Sequence, residues 1–195
     1  MMRTAEMRTA RAGELLARAG DAVDSVSLLC DGFVVATAAS HHGKETALQV
    51  FGAGEMWGCV PILLGQDMET NVRAVTDVRL AMISAKIFFN ALGESPRACR
   101  AFATHVARHF SRLARLRLLG VERSDRRICG ILLWLRESSG LRVPVTQALL
   151  AMIAGTTEET VSRALSPLKR QGFVAYTRSA IDIVDPERLR RILEG

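Results

Sequence analysis

Aromatic residues fill only 5% of the 195 positions, with a single Tyr, and the chain has just five Pro and four Cys. The cysteines, Cys30, Cys59, Cys99 and Cys129, are far apart with no C-x-x-C pair. That gives no zinc or cluster-binding spacing, and in a chain that reads as cytosolic they are expected to be reduced, each a small buried hydrophobe. Long apolar runs are also missing. The longest, Ile128 to Leu135, falls far short of the roughly 20 residues that a bilayer span needs. Met1 to Gly20 is arginine-rich without the apolar core of a secretory signal, so the chain reads as cytoplasmic with no membrane partner. No Ser-His-Asp order, metal-ligand spacing or phosphate loop supports a reaction, and the reading is of a non-enzyme.

What is present is apolar and basic. Hydrophobic residues make up 49%, enough for real cores, and the formal charge is +6 with a pI near 9.8. That balance favours polyanionic partners: DNA, RNA or an acidic membrane surface. From Arg11 to about Phe88, glycines separate short β-prone runs: Val26–Leu29, Phe33–Thr37, Thr46–Phe51 and Val78–Ile83. Such spacing predicts a sandwich or barrel, with Gly20-Asp21, Asp31-Gly32 and His42-Gly43 as turn pairs.

Near Gly93 the period changes. Ser95 can cap a helix and Pro96 suits its first position. Phe102, Val106, Phe110, Leu113 and Leu116 then recur at helical spacing, over roughly 35 Å of helix to Leu119. A stripe of that length finds its most economical cover on a second copy of the chain; the rival is packing wholly against its own β-domain. After a break at Gly120–Ser124, Ser124 or Asp125 caps another helix through about Arg136, and Val143–Val145 is a short extended piece. The domain boundary falls near residue 120.

Thr146 to Leu168 has the mechanics of two helices joined by a tight turn. Thr146 caps the first, Ala151 is small at the close approach, and Gly155 supplies a positive φ. Thr156 or Thr157 caps the second. Val161, Ala164, Leu165 and Leu168 share one face; Glu159, Ser162 and Arg163 share the other. The polar face is what a major-groove reader needs, because Arg can take guanine O6 and N7 together and a carboxylate can accept from cytosine N4. The hydroxyls of Thr156, Thr157 and Thr160 and the free amides beside them suit phosphate. A competing reading makes Thr156–Glu159 a capping box, with Glu159 turned back to the Thr156 amide. Two β-runs, Gly172–Tyr176 and Ile181–Ile183, flank a basic tip at Arg178, with Lys169 and Arg170 nearby. Pro167 is expected to shorten the second helix to about three turns.

Gly155-Thr-Thr-Glu-Glu-Thr-Val-Ser-Arg163, Gly172-Phe-Val and Ile183-Val-Asp-Pro resemble the CRP/FNR family of bacterial transcription regulators. Upstream, Arg11-Ala-Gly-Glu14, Gly52-Ala-Gly-Glu-Met-Trp-Gly58 and Val72-Arg-Ala-Val-Thr76 are similar to that family's cyclic-nucleotide-binding-type β-roll. The resemblance implies an α+β fold: a jelly-roll-like β-barrel over 1–93, a long dimerisation helix over 94–120, and a winged helix-turn-helix over 121–195. It implies a homodimer on double-stranded DNA, with RNA polymerase as a candidate partner. Glu159, Ser162 and Arg163 match the FNR-type Glu-x-x-Ser-Arg signature, which implies an inverted-repeat operator with TTGAT-like half-sites. Glu158 stands where the cyclic AMP receptor subgroup carries an Arg, and Leu149 departs from a usually polar position. The alternative is a ligand- or protein-binding sensor whose winged helix contacts another protein.

The implied effector pocket centres on Gly58, Cys59, Glu69 and Thr70. Aligned on Gly54-Glu55 and Val72-Arg73, Cys59 takes the place of the Glu that holds the ribose in cyclic AMP binders, and Glu69 takes that of the phosphate-binding Arg. A carboxylate facing phosphate in a poorly solvated pocket is repulsive, so no productive cyclic AMP binding is expected. An iron–sulfur cluster is not expected either: no N-terminal cysteine cluster is present, and the chain starts where the family's first strand would lie. Nor is haem, since His41, His42 and Cys59 are wrongly spaced and the histidines suit an exposed turn. The effector, if there is one, stays unassigned.

Overall fold

The computed structural model describes residues 5–39 and 45–194. Two compact units emerge, built chiefly from residues up to 39 with 48–112, and from 113–194.

In the first unit the four predicted runs become β3 (Ser25–Asp31), β4 (Val34–Ala39), β5 (Glu45–Phe51) and β8 (Val78–Ser84), and four short strands are added that none of those runs covers: β1 (Glu6–Ala10), β2 (Leu15–Ala17), β6 (Met56–Trp57) and β7 (Asn71–Ala74). They form two four-stranded sheets, ordered β1-β8-β3-β6 and β2-β7-β4-β5. Pairing is antiparallel, with Val26 opposite Ile83 and Val35 opposite Arg73. Leu29, Val34, Phe51, Trp57, Val72 and Leu80 belong to one buried apolar cluster. At the Asp31-Gly32 turn φ is +88°, and a Cβ would meet the Asp77 carbonyl at 2.3 Å, so only glycine fits there.

Two helices in this unit are absent from the sequence reading. Helix α1 (Cys59–Leu64) lies between Gly58 and Gly65, both in the left-handed region, and is too short to display a period. Helix α2 (Ala85–Glu94) starts at Ser84, whose Oγ accepts from the Ile87 amide, so Gly93 lies inside a helix and does not mark the change of pattern. Helix α3 (Pro96–Leu119) begins as expected, with the Ser95 Oγ accepting from the Ala98 amide.

The second unit is organised around α4 (Ser124–Ser139), which buries Ile128, Ile131, Leu132, Trp134 and Leu135. Its N-cap is Arg123, and no side-chain cap is made. Ser124 and Asp125 are therefore inside the first turn, where the Asp125 carboxylate favours the helix dipole without capping it. The helix also runs past Arg136 to Gly140, which ends it with φ +74°. There follow β9 (Arg142–Val143), α5 (Gln147–Ala154), α6 (Glu158–Arg170), β10 (Val174–Tyr176), β11 (Ile181–Ile183) and α7 (Pro186–Glu194). The strands make one antiparallel sheet, β10-β11-β9, while α5, α6 and α7 all pack on α4.

Candidate nucleic-acid interface

The helical pair has the geometry its spacing calls for. Thr146 caps α5, its Oγ1 accepting from the Leu149 amide at 3.0 Å. Gly155 follows with φ +61° and no neighbour within 4 Å of a would-be Cβ, so its requirement is conformational and not steric. Of the two candidate caps for α6, Thr157 is the one used: its Oγ1 accepts from the Thr160 amide at 3.3 Å. The capping box does not form. The Thr156 amide donates to the Ala151 carbonyl at 3.0 Å, and the third position after the cap is Thr160, not a glutamate.

Val161 and Leu165 are fully buried and Leu168 nearly so, while Ala164 is half-buried. On the other side Glu159 and Arg163 are exposed, with Ser162 and Thr160 partly so. The Arg163 guanidinium lies 3.4 Å from the Thr160 hydroxyl, to which it donates. Glu158 and Glu159 in the first turn and Lys169 and Arg170 in the last match the helix dipole. Pro167 does not end the helix, whose 13 residues continue past it to Arg170, with the Gln171 amide donating to the Pro167 carbonyl at 3.1 Å.

The hairpin β10–β11 pairs Tyr176 with Ile181, and Arg178 is exposed at its tip. There the Thr177 hydroxyl accepts from the Ser179 and Ala180 amides. Lys169 stands with its ammonium 4.4 Å from the Tyr176 ring centroid, linking the end of α6 to the hairpin by a cation–π contact.

The pocket expectations fare less well. Gly58 starts α1 with φ +82°, and a Cβ there would meet the Ser25 carbonyl at 2.9 Å. Cys59 is buried in an apolar cluster with Val26, Ile83 and Phe88. Burial pushes its thiol pKa up, which keeps it protonated and a poor nucleophile. Glu69 is exposed and Thr70 half-buried. The side chain entering the barrel core at this point is Met68, so the Glu69 carboxylate does not stand in a poorly solvated pocket and solvent screens it. Met68 joins Leu29, Val34, Phe51, Trp57, Val72 and Leu80 in the buried apolar cluster. Arg73 is exposed and donates to the Gly13 carbonyl at 2.7 Å. His41 and His42, with the turn pair at His42-Gly43, lie outside the described residues.

Comparison with known proteins finds a cyclic nucleotide-binding domain over residues 7–95 and a Crp-like helix-turn-helix domain over 126–192. The chain belongs to the CRP/FNR family of transcription regulators. The cyclic AMP receptor protein of Thermus thermophilus is 27% identical over 178 residues, 90% of this chain and 82% of that protein. The nitrogen fixation regulation protein FixK of Azorhizobium caulinodans is 31% identical over 139 residues, 66% of this chain and 56% of that protein. The solved structure of FixK2 from Bradyrhizobium japonicum superposes with a TM-score of 0.83 at 20% identity, covering 96% of each chain.

In this CRP/FNR chain the long helix has two faces. Val106 (43% exposed), Phe110 (74%) and Leu113 (42%) face outward, and Leu116 is half-buried. Phe102, expected in the same outward stripe, instead turns to its own domain, where its ring meets Phe88 edge-on at 5.3 Å. His105, His109 and Arg112 share that inward side, which the sequence reading did not separate from the stripe. The His109 ring stacks on Phe51 at 5.7 Å, its Nδ1 is 3.0 Å from the Gln49 amide, and Arg112 pairs with Glu55. Two cysteines also depart from expectation: Cys99 is exposed and Cys30 half-buried, whereas Cys59 and Cys129 are buried. Burial pushes the Cys129 thiol up to about 12. Among the described residues, no helix is long and apolar enough to cross a membrane.

Proposed function

We propose that this CRP/FNR regulator acts as a cytoplasmic homodimer, reads an inverted repeat of TTGAT-like half-sites, and does so without cyclic AMP. The observation that carries the reading is the division of α6 into a buried side, Val161, Leu165 and Leu168, and an open side, Glu159, Ser162 and Arg163. Arg163 would take the half-site guanine at O6 and N7, Glu159 would accept from the cytosine opposite, and Ser162 would meet a neighbouring base. Thr156, Thr157 and Thr160 at the helix start, with Lys169 and Arg178 beyond it, would hold phosphates and set register without reading sequence. Val106, Phe110 and Leu113, flanked by Leu116, would pair with the same residues of a second copy and present two reading helices to a two-fold site. RNA polymerase remains the candidate partner of the DNA-bound dimer.

The independence from cyclic AMP rests on residue types: Cys59 replaces the Glu that holds the ribose in the family's cyclic AMP binders, and Glu69, exposed here, stands where they carry the phosphate-binding Arg. Calorimetric titration with cyclic AMP should show no binding; micromolar affinity would refute this part alone. The operator reading is tested by selection of bound duplexes from a random pool. Enrichment of TTGAT-like inverted repeats, with affinity falling steeply as salt rises, supports it. No retention of any duplex at low salt would favour a protein-contacting winged helix instead.

A further inference from the structure

Helix α4 carries a side chain that no base-reading role uses. Arg127 lies in its first turn, its amide donating to the Arg123 carbonyl at 2.9 Å. Its guanidinium reaches in two directions. Nη1 donates to the Ala154 carbonyl at 2.9 Å, and Nη2 donates to the Glu122 carbonyl at 3.0 Å. Nε is buried without a hydrogen-bond partner, so the group is held in place at some cost.

The two acceptors are the telling part. Ala154 is the last residue of α5, directly before the Gly155 turn that launches α6. The carbonyls of Ala151 and Met152 are taken by the Thr156 and Gly155 amides, while the Ala154 carbonyl receives the guanidinium, a cation at the negative end of a helix. Glu122 lies in the turn that leaves α3, and its own amide donates to the Leu119 carbonyl at 3.1 Å. One rigid planar fork therefore ties the end of the long helix to the start of the reading helix, a span that the single ammonium of lysine could not bridge in the same way.

We propose that Arg127 is a positioning residue for DNA reading: without touching DNA, it fixes the start of α6 against the turn after α3. This rests on the operator reading above. The test uses the whole 195-residue chain with Arg127→Met, which keeps the apolar stem and removes the donors, and Arg127→Lys. The probes are a duplex with an inverted repeat of TTGAT half-sites, centred about one helical turn apart, and a scrambled duplex of equal length.

Arg127→Met should lose at least tenfold in affinity for the repeat and stay within twofold of wild type on the scrambled duplex. In the free protein, hydrogen exchange at the amides of 155–160 should quicken at least tenfold while those of β10 and β11 keep their rates, and Arg127→Lys should fall between. Repeat affinity within twofold of wild type overturns the proposal. So does exchange that is unchanged at 155–160 or that rises evenly across 113–194, the mark of a merely structural residue. If wild type itself does not distinguish the duplexes, the operator reading fails, and the exchange pattern alone decides the role of Arg127.

Discussion

Truncating Leu165 to alanine separates the anchoring side of α6 from its reading side. Leu165 is fully buried, beside Val161 and Leu168, on a helix that packs against α4. Removing a buried leucine side chain costs about 2–5 kcal/mol, transfer and cavity together. A unit spanning 113–194 holds on the order of 4–12 kcal/mol in all, at about 0.05–0.15 kcal/mol per residue. Leu165→Ala should therefore remove at least about a sixth of that stability and lower its Tm by about 8–40 °C. The chain has two tryptophans, Trp57 in the first unit and Trp134 in the second. In a Trp57→Phe background, Trp134 fluorescence then follows the second unit alone through urea or heat. Arg163→Ala, on the exposed side, should move the same midpoint by less than about 0.5 kcal/mol. A Leu165→Ala midpoint indistinguishable from the parent, or an equal loss in Arg163→Ala, would refute the assignment of faces.

Two further outcomes concern the first unit and the long helix. Burial holds His105 and His109 below the ordinary histidine value of 6.5, with Arg108 adding repulsion at His105, and His105 doing so at His109; a hydrogen bond to the Met56 backbone opposes the shift at His105. A base depressed on folding binds fewer protons folded than unfolded. Its contribution is thus complete above 6.5 and is lost as pH falls from there through the folded values. The first unit's stability, followed by denaturation at Trp57 with Trp134 replaced by Phe, should fall from pH 7 to 5, and a His105→Gln, His109→Gln pair should flatten that slope. The outward Phe110 predicts that Phe110→Glu leaves the fold intact but sediments at 21.3 kDa, where wild type sediments at twice that mass. Each buried ring is worth about 1.5–3 kcal/mol, counted twice by symmetry, so the dimer should weaken by at least about 100-fold.

The winged helix was legible because its signals are periodic and redundant: Val161, Leu165 and Leu168 at one spacing, Gly155 where only a positive φ closes the turn. Of the first unit's strands, β3, β4, β5 and β8 were legible as β-prone runs between glycines, while the short β1, β2, β6 and β7 were not. Other features carried no such signal. Helix α1 is six residues between two glycines, too few for a helical period. Met68 and Glu69 are neighbours in the loop between α1 and β7, where adjacent side chains go to core and solvent with no period to tell them apart; the sequence reading placed Glu69 in the pocket, and the fold puts Met68 inside. Phe102 and Val106 are one turn apart, yet one packs on Phe88 and the other faces out, because the line along which a helix meets its own domain is an angle that spacing alone does not set. The capping threonines stand side by side with equal chemistry, and only the Ala151 carbonyl, by claiming the Thr156 amide, decides for Thr157. Arg127 was invisible because both its acceptors are backbone carbonyls, which leave no residue type to recognise.

The most direct test of groove reading by α6 is a binding profile for wild type and Arg163→Ala, at one fixed salt concentration, over duplexes carrying every single-base change in the half-site. Wild type should lose about 1–3 kcal/mol, or about 5–150-fold, when the guanine is replaced, while the variant should show no preference at that pair and keep its preferences elsewhere. An unchanged profile in Arg163→Ala, or affinity lost equally on every duplex, would contradict the account.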